Sequence, residues 1–237
     1  VIPIALVPTW RDPIHVFIGN AALPPEFPLD SRIPGRDHLQ MISGTEGYAD
    51  EADALVKQYE SIAFTDVHRP VLHLIPVTGS HVLDVGAGTG RDAAGFAAMG
   101  HRVVAVEPTE ALRSRAAVLH PSSLIEWVDD SLPDLAQVTA RGRSFDVVML
   151  TAVWMHLDLG QRRRAMPTLA SLLRPGGALI MSLRYGPVPT GRRMFAVSVE
   201  ETIALADAEG LQPILKLEAQ DGVLRRPGIS WARLAFR

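Results

Sequence analysis

The stretch Val82-Leu-Asp-Val-Gly-Ala-Gly-Thr-Gly-Arg91 holds the densest chemistry in this 237-residue chain. An apolar, strand-like run feeds straight into Gly86-Ala87-Gly88-Thr89-Gly90 and then a helical pattern. Glycine tolerates left-handed backbone and lets a ligand lie against the main chain. A glycine loop at the carboxyl end of a first strand is where open α/β sheets hold nucleotides. The dinucleotide fingerprint needs Gly-x-Gly-x-x-Gly, but Arg91 stands at its third glycine and the acid Asp84 precedes the loop. A carboxylate there repels a pyrophosphate and can orient an ammonium group. The next apolar run, Arg102-Val-Val-Ala-Val-Glu-Pro108, ends on Glu107, about 20 residues past the glycines, where an acid accepts hydrogen bonds from ribose hydroxyls. A third run ends in Asp129-Asp130-Ser131, polar enough to meet an adenine amine, with either aspartate able to face it. Acid, glycine loop, acid, acid at successive strand ends describes an adenosine carrying a cationic, amine-bearing tail rather than phosphates.

These groups need parallel strands ending at one edge. After Gly79 the sequence alternates strand and helix patterns with brief connections, as a doubly wound parallel sheet requires. Strands are expected at 81–85, 102–106, 123–128, 145–150 and 177–183, and helices at 90–99, 109–119, 134–140 and 160–173. A last helix over 198–208 leads to strands at 211–218 and 229–236 that could pair as an edge hairpin. Ahead of this core, Ala52, Leu55, Val56, Tyr59, Ile62 and Ala63 recur at helical steps, and a second short helix is expected over 66–75. Seven of the 18 prolines fall within residues 1–34, which reads as an irregular arm with one short strand at 14–18. The expected division is thus an arm over 1–47 and a domain over 48–237, with a helical cap at 48–78 and an α/β core at 79–237.

Composition narrows the chemistry. A net charge of −3 gives no electrostatic case for nucleic acid or an anionic membrane. No apolar run approaches the roughly 20 residues of a membrane-spanning helix, and without a leader or anchor motif the default expectation is the cytoplasm. The chain has no cysteine, which removes disulfides, thiolate metal sites and thiol nucleophiles together.

Together the blocks Val82–Gly90, Val104–Glu107, Asp129–Pro133, Phe145–Leu157 and Leu173-Arg-Pro-Gly-Gly177 resemble, in order and spacing, a class I S-adenosylmethionine-dependent methyltransferase of the small-molecule-like group, over roughly residues 48–237. The resemblance implies a Rossmann-like, seven-stranded sheet of order 3-2-1-4-5-7-6 with strand 7 antiparallel. It implies S-adenosylmethionine as cofactor and S-adenosylhomocysteine as product. Asp84 would lie near the methionine end, with Gly86, Ala87, Gly88, Thr89 and Gly90 against the cofactor. Glu107, followed by Pro108, would hold the ribose; Asp129 or Asp130 with Ser131 would surround the adenine; Thr151 and Ala152 would lie beside the methionine moiety.

The end of the fourth strand, Leu150-Thr-Ala-Val-Trp-Met-His156, bears on the acceptor. The Asn/Asp-Pro-Pro-aromatic block of amide and base methylation is missing, Thr151 replaces the first acid of the magnesium-dependent catechol type, and cysteine-dependent carbon or arsenic methylation lacks its thiol. What survives is metal-free transfer to oxygen, nitrogen or carbon of a small molecule. A catalytically silent cofactor-binding protein or partner subunit uses the same residues. His156 is the candidate base, with a structural role packing the next helix as the alternative, and Tyr185 is expected to face the same crevice. Tyr48 and Tyr59 could close over the cofactor. Arg184, Arg192 and Arg193 flank a Pro/Gly-rich excursion that reads as a substrate-side lid suited to carboxylate or phosphate. Arg162-Arg163-Arg164 reads as a solvated face.

Overall fold

The computed structural model describes residue 42, residues 44–77 and residues 79–237. Residues 1–41 of the arm, with the strand expected at 14–18, lie outside the described residues. What is described falls in one compact unit, Gln40–Arg237.

Seven strands form one sheet: β1 (His81–Val85), β2 (Arg102–Val106), β3 (Ile125–Val128), β4 (Phe145–Leu150), β5 (Leu173–Tyr185), β6 (Pro213–Asp221) and β7 (Ser230–Phe236). Their order is β3-β2-β1-β4-β5-β7-β6. The β1–β2, β1–β4, β2–β3 and β4–β5 pairs are parallel, and β7 runs antiparallel between β5 and β6. This is the doubly wound topology that the resemblance implies. Alternate strand residues feed two cores: Leu83, Val104, Val148 and Leu179 pack in one, and Val82, Val103, Val147 and Ile180 in the other. The strands are therefore buried on both sides, which explains their nearly uninterrupted apolar character.

Helices α3 (Arg91–Ala98), α4 (Glu110–Leu119), α5 (Ala136–Thr139) and α6 (Leu159–Ser171) connect the parallel strands, and α7 (Val199–Ala208) precedes the hairpin. Asp158 starts α6 with a reciprocal cap: its carboxylate accepts from Gln161 N at 2.8 Å while Asp158 N donates to Gln161 Oε1 at 2.9 Å. The Ser198 hydroxyl caps α7 by accepting from Glu201 N at 3.0 Å.

The cap comprises α1 (Ala52–Glu60), α2 (Phe64–His68) and a 3-10 turn at Leu72–Leu74. The single helix expected over 66–75 is thus broken. Pro70 has no N–H to donate and crowds the residue before it, so the helix stops at His68 and restarts as a tighter turn. Arg162 also departs from expectation. Its side chain is buried, pairs with Glu201 at 2.7 Å, and donates to the carbonyls of Leu157 and Ala196, which ties α6 to α7.

Candidate active site

The parallel strands β1, β2, β3 and β4 all end along one rim, where a cleft of about 360 Å³ opens, a size ordinary for a small-ligand site. It is lined by Gly86, Ala87, Gly88, Thr89, Glu107, Pro108, Asp130, Ser131, Thr151 and Ala152, so most of the sequence-derived binding set comes together.

The glycines differ in what surrounds them. All three have positive φ. A Cβ on Gly86 would sit 2.5 Å from Val153 Cγ2, and one on Gly90 2.7 Å from the Trp127 ring; at Gly88 the nearest atom is Gly86 O at 4.0 Å. Gly86 and Gly90 leave room for protein, whereas Gly88 leaves room for something else.

Glu107 is held in place before any ligand arrives. Its Oε2 accepts from Gly88 N and its Oε1 from Thr109 N, both at 2.8 Å. Burial raises its pKa, and the two N–H donors oppose the rise. Each oxygen retains a lone pair for another donor. Thr89 is buried and donates to Glu60 Oε1 at 2.6 Å, which fastens the loop to α1.

Asp84 lies beneath the loop, buried, and is not among the cleft-lining residues; its Oδ2 has no partner among the described residues. Burial, reinforced by the charge of Asp92, pushes its pKa well up. Asp92 itself joins His68 at 2.8 Å and Arg91 at 2.8 Å, anchoring α2 to the start of α3. Of the two aspartates after β3, Asp130 lines the cleft, its carboxylate accepting from the N–H groups of Ser131, Gln137 and Val138. Asp129 points away and pairs with Arg113 at 3.0 Å.

Beyond β4 the chain turns through Ala152 at φ 60, and Ala152 N donates to Ser182 Oγ at 2.9 Å. Thr151 Oγ1 has no partner among the described residues. Trp154 and Met155 are core residues, and Met155 also touches the cleft.

His156 is buried, and both ring nitrogens are engaged. Nδ1 lies 2.8 Å from the Arg193 carbonyl and Nε2 lies 3.0 Å from the Tyr48 hydroxyl. A carbonyl only accepts, so Nδ1 carries the proton and Nε2 accepts from Tyr48. Burial lowers the pKa of His156 and raises that of Tyr48. Arg192 stacks 4.2 Å from the Tyr48 ring and pairs with Glu51 at 2.8 Å. The excursion after β5 is thereby joined to the residues ahead of α1.

Tyr185 does not face the crevice. Strand parity gives the cleft Ser182 and Arg184, while Tyr185 packs on the opposite side, within electrostatic reach of Glu218 and Glu200. Two cleft segments were missed by the sequence reading. Ile42, Gly44 and Thr45, ahead of the expected cap, line it, as do residues of the β6–β7 loop, among them Leu224 and Arg226. The expected hairpin of 211–218 and 229–236 implied that loop, but a hairpin connection says nothing about what it covers.

Residues 83–181, from β1 into β5, match the methyltransferase-domain family. That stretch bears the likeness to a methyltransferase domain, and it lies on a seven-stranded sheet of order β3-β2-β1-β4-β5-β7-β6. The domain is 32% identical over 108 residues to an uncharacterised methyltransferase of Mycobacterium bovis, covering 45% of this chain and 40% of that protein. The chain thus spans less than half the length of that curated relative. Among solved structures, the domain resembles the Burkholderia thailandensis 1,6-didemethyltoxoflavin-N1-methyltransferase, crystallised with 1,6-didemethyltoxoflavin and S-adenosylhomocysteine, at TM-score 0.63 and 22% identity over 80% of this chain and 84% of that one. It also resembles a TehB-like methyltransferase of Corynebacterium glutamicum at TM-score 0.60 and 19% identity over 79% and 97% of the two chains. At these identities the methyltransferase likeness is one of fold.

Proposed function

We propose that the chain binds S-adenosylmethionine in this cleft and transfers its methyl group, without a metal ion, to an oxygen, nitrogen or carbon of a small molecule. The observation that carries the reading is the Glu107 carboxylate, fixed by the Gly88 and Thr109 N–H groups beside the one loop glycine that faces open space. That arrangement suits a ribose diol. Asp130 and Ser131 line the place for an adenine, and the unpartnered Thr151 hydroxyl awaits a polar group of the amino-acid tail. Residue type favours a metal-free transfer, since Thr151 stands where the magnesium-dependent type has an acid.

When bound, the sulfonium supplies an electrophilic methyl group. The protein's tasks are then to align an acceptor, exclude water and, where the acceptor carries a proton, remove it. Tyr48 and His156 form a two-step route for that proton. The acceptor's proton passes to the Tyr48 oxygen as the Tyr48 proton passes to His156 Nε2, and the Arg193 carbonyl steadies the resulting imidazolium through Nδ1–H. Tyr185 has no part in this route.

Calorimetric titration with S-adenosylmethionine should show one site per chain and none for NADH, and labelled methyl donor incubated with a metabolite extract should give a labelled small molecule. Binding of NADH without binding of S-adenosylmethionine would refute the reading.

A further inference from the structure

Six arginines line the cleft, but they are not equivalent. Arg91 and Arg192 are paired with Asp92 and Glu51. Arg193, expected to share in ligand recognition, turns toward Phe195 and Glu46 and does not line the cleft. Arg233 on β7 lies within electrostatic reach of Asp92 and Arg91, whereas Arg184 at the end of β5 and the adjacent Arg225 and Arg226 in the β6–β7 loop line the cleft with no ion pair among the described residues. The Arg184 guanidinium donates only to the Pro187 carbonyl at 2.9 Å and approaches Met194 Sδ at 3.8 Å. Arg184 and Arg226 line the same cleft, and burial joined by repulsion from Arg226 lowers the pKa of Arg184. Arg184 also lies within electrostatic reach of the Tyr48 and Tyr59 phenols, and Arg226 within reach of Tyr59. Like charges held together without a carboxylate favour an anion between them. Around them the wall is apolar: Val223 and Leu224 are 46% and 42% exposed, and Met194, Ile229 and Trp231 complete it.

We propose that Arg184 and Arg226 form the acceptor subsite and grip a carboxylate or phosphate carried on an apolar body. The inference rests on the methyl-transfer reading and gives its unknown acceptor a chemical class. Neither arginine sits on the glycine loop or at the ends of β2 and β3, so the subsite is separate from the residues assigned to adenosine. A fixed anionic end would hold the acceptor so that its reacting atom meets the methyl group under Tyr48.

The test titrates the full chain, saturated with S-adenosylhomocysteine, with biphenyl-4-carboxylate, biphenyl-4-yl phosphate and the neutral biphenyl-4-carboxamide. At least one anion should bind about tenfold or more tighter than the amide, the effect of one strong charge-assisted contact. The better of the two anions tells carboxylate from phosphate. In R184Q/R226Q, and in part in R226Q alone, which alters only an exposed loop residue, the preference should fall toward unity with S-adenosylhomocysteine affinity unchanged. Equal binding of amide and anions, no binding of any probe, or a preference that survives the double substitution overturns the proposal. So does a loss of S-adenosylhomocysteine affinity in R184Q/R226Q, since the arginines would then serve the cofactor's own carboxylate. Failure of the unaltered chain to bind S-adenosylhomocysteine at all would instead bring down the methyl-transfer reading, and this inference with it.

Discussion

Three glycines within five residues separate into structural and functional roles once their surroundings are known. Gly90 lies against Trp127 and His120, at 2.7 and 2.8 Å from an added Cβ, and has φ 90, so Gly90→Ala combines a clash with left-handed strain. It should lower the thermal midpoint, at a cost of about 2–4 kcal/mol. Gly88 has φ 57 and open space beyond it, so Gly88→Ala costs only the strain, about 1–2 kcal/mol. Its larger effect should be on S-adenosylmethionine affinity, measured by titration, because the new methyl group enters the ligand's space. Equal losses of stability in both variants would remove the distinction. Glu107→Ala should weaken binding by about 1–3 kcal/mol, since it strands the Gly88 and Thr109 N–H groups as well as the ribose hydroxyls; an unchanged dissociation constant would count against the ribose role. The glycine loop and Glu107 were legible in the sequence because their positions follow directly from where an apolar strand stops. Asp129 and Asp130 were not separable. Adjacent residues leaving a strand point in different directions, and only the turn that Asp130 makes with the N–H groups of Gln137 and Val138 decides which one faces inward.

Elements placed the catalytic candidates differently from their sequence neighbourhoods. The bounds of β1, β2 and β4 agree with the sequence expectation, since each is an apolar run cut off by polar residues. β5 runs from Leu173 to Tyr185, longer at both ends than 177–183, because it pairs with β4 from Leu173 opposite Phe145 and with β7 up to Tyr185 opposite Ser230. A partner's register is invisible in a single strand's pattern, and it fixes the alternation that gives Arg184 to the cleft and Tyr185 to the far side. The Tyr48–His156 link is likewise a meeting of distant elements, the segment ahead of α1 and the turn after β4. It leads to a pH prediction. The relay needs neutral His156, and burial holds its pKa below the ordinary value of about 6.5. Turnover should therefore stay level as pH falls through 6.5 and decline only lower. Tyr48→Phe should reduce kcat by about 10²–10⁴-fold while sparing S-adenosylmethionine affinity. The same depressed pKa affects stability. Below about 6.5 the unfolded chain takes up a proton that the folded chain does not. The contribution of neutral His156 is therefore full above that pH and lost as pH falls toward the folded pKa. His156→Gln should flatten that part of the stability profile, and an acid limb of kcat at or above 6.5 would contradict the assignment.

Across the whole molecule, the cap reads from sequence as an appendage before the α/β core, yet its side chains are part of the core itself. Phe64, Val71 and Ile75 pack in the same cluster as Val82, Phe96, Val103 and Val147 of the sheet layer. The Phe64 ring lies over Gly95, where an added Cβ would come within 2.3 Å of it, and meets Phe96 edge-on at 5.0 Å. The buried His68–Asp92 pair crosses the same boundary, and Thr89 crosses it again to Glu60. Periodicity shows that a helix has an apolar face but not which surface receives it, so this fusion could not be read from the sequence. It has a thermodynamic consequence. If cap and core share one interior, removing a ring from the cap must loosen the sheet as well, and unfolding should remain a single transition. Phe64→Ala should cost about 3–5 kcal/mol. Far-ultraviolet circular dichroism, dominated by the core, and the fluorescence of Trp127, Trp154 and Trp231 should shift by the same denaturant increment. A cap that folded separately would show otherwise, with Phe64→Ala producing an early phase and leaving the tryptophan transition where it was. Because Tyr48, Glu60 and Thr89 join cap to cleft, a shared transition also means that ligands bound at the glycine loop should protect the cap, and S-adenosylhomocysteine should raise both signals together.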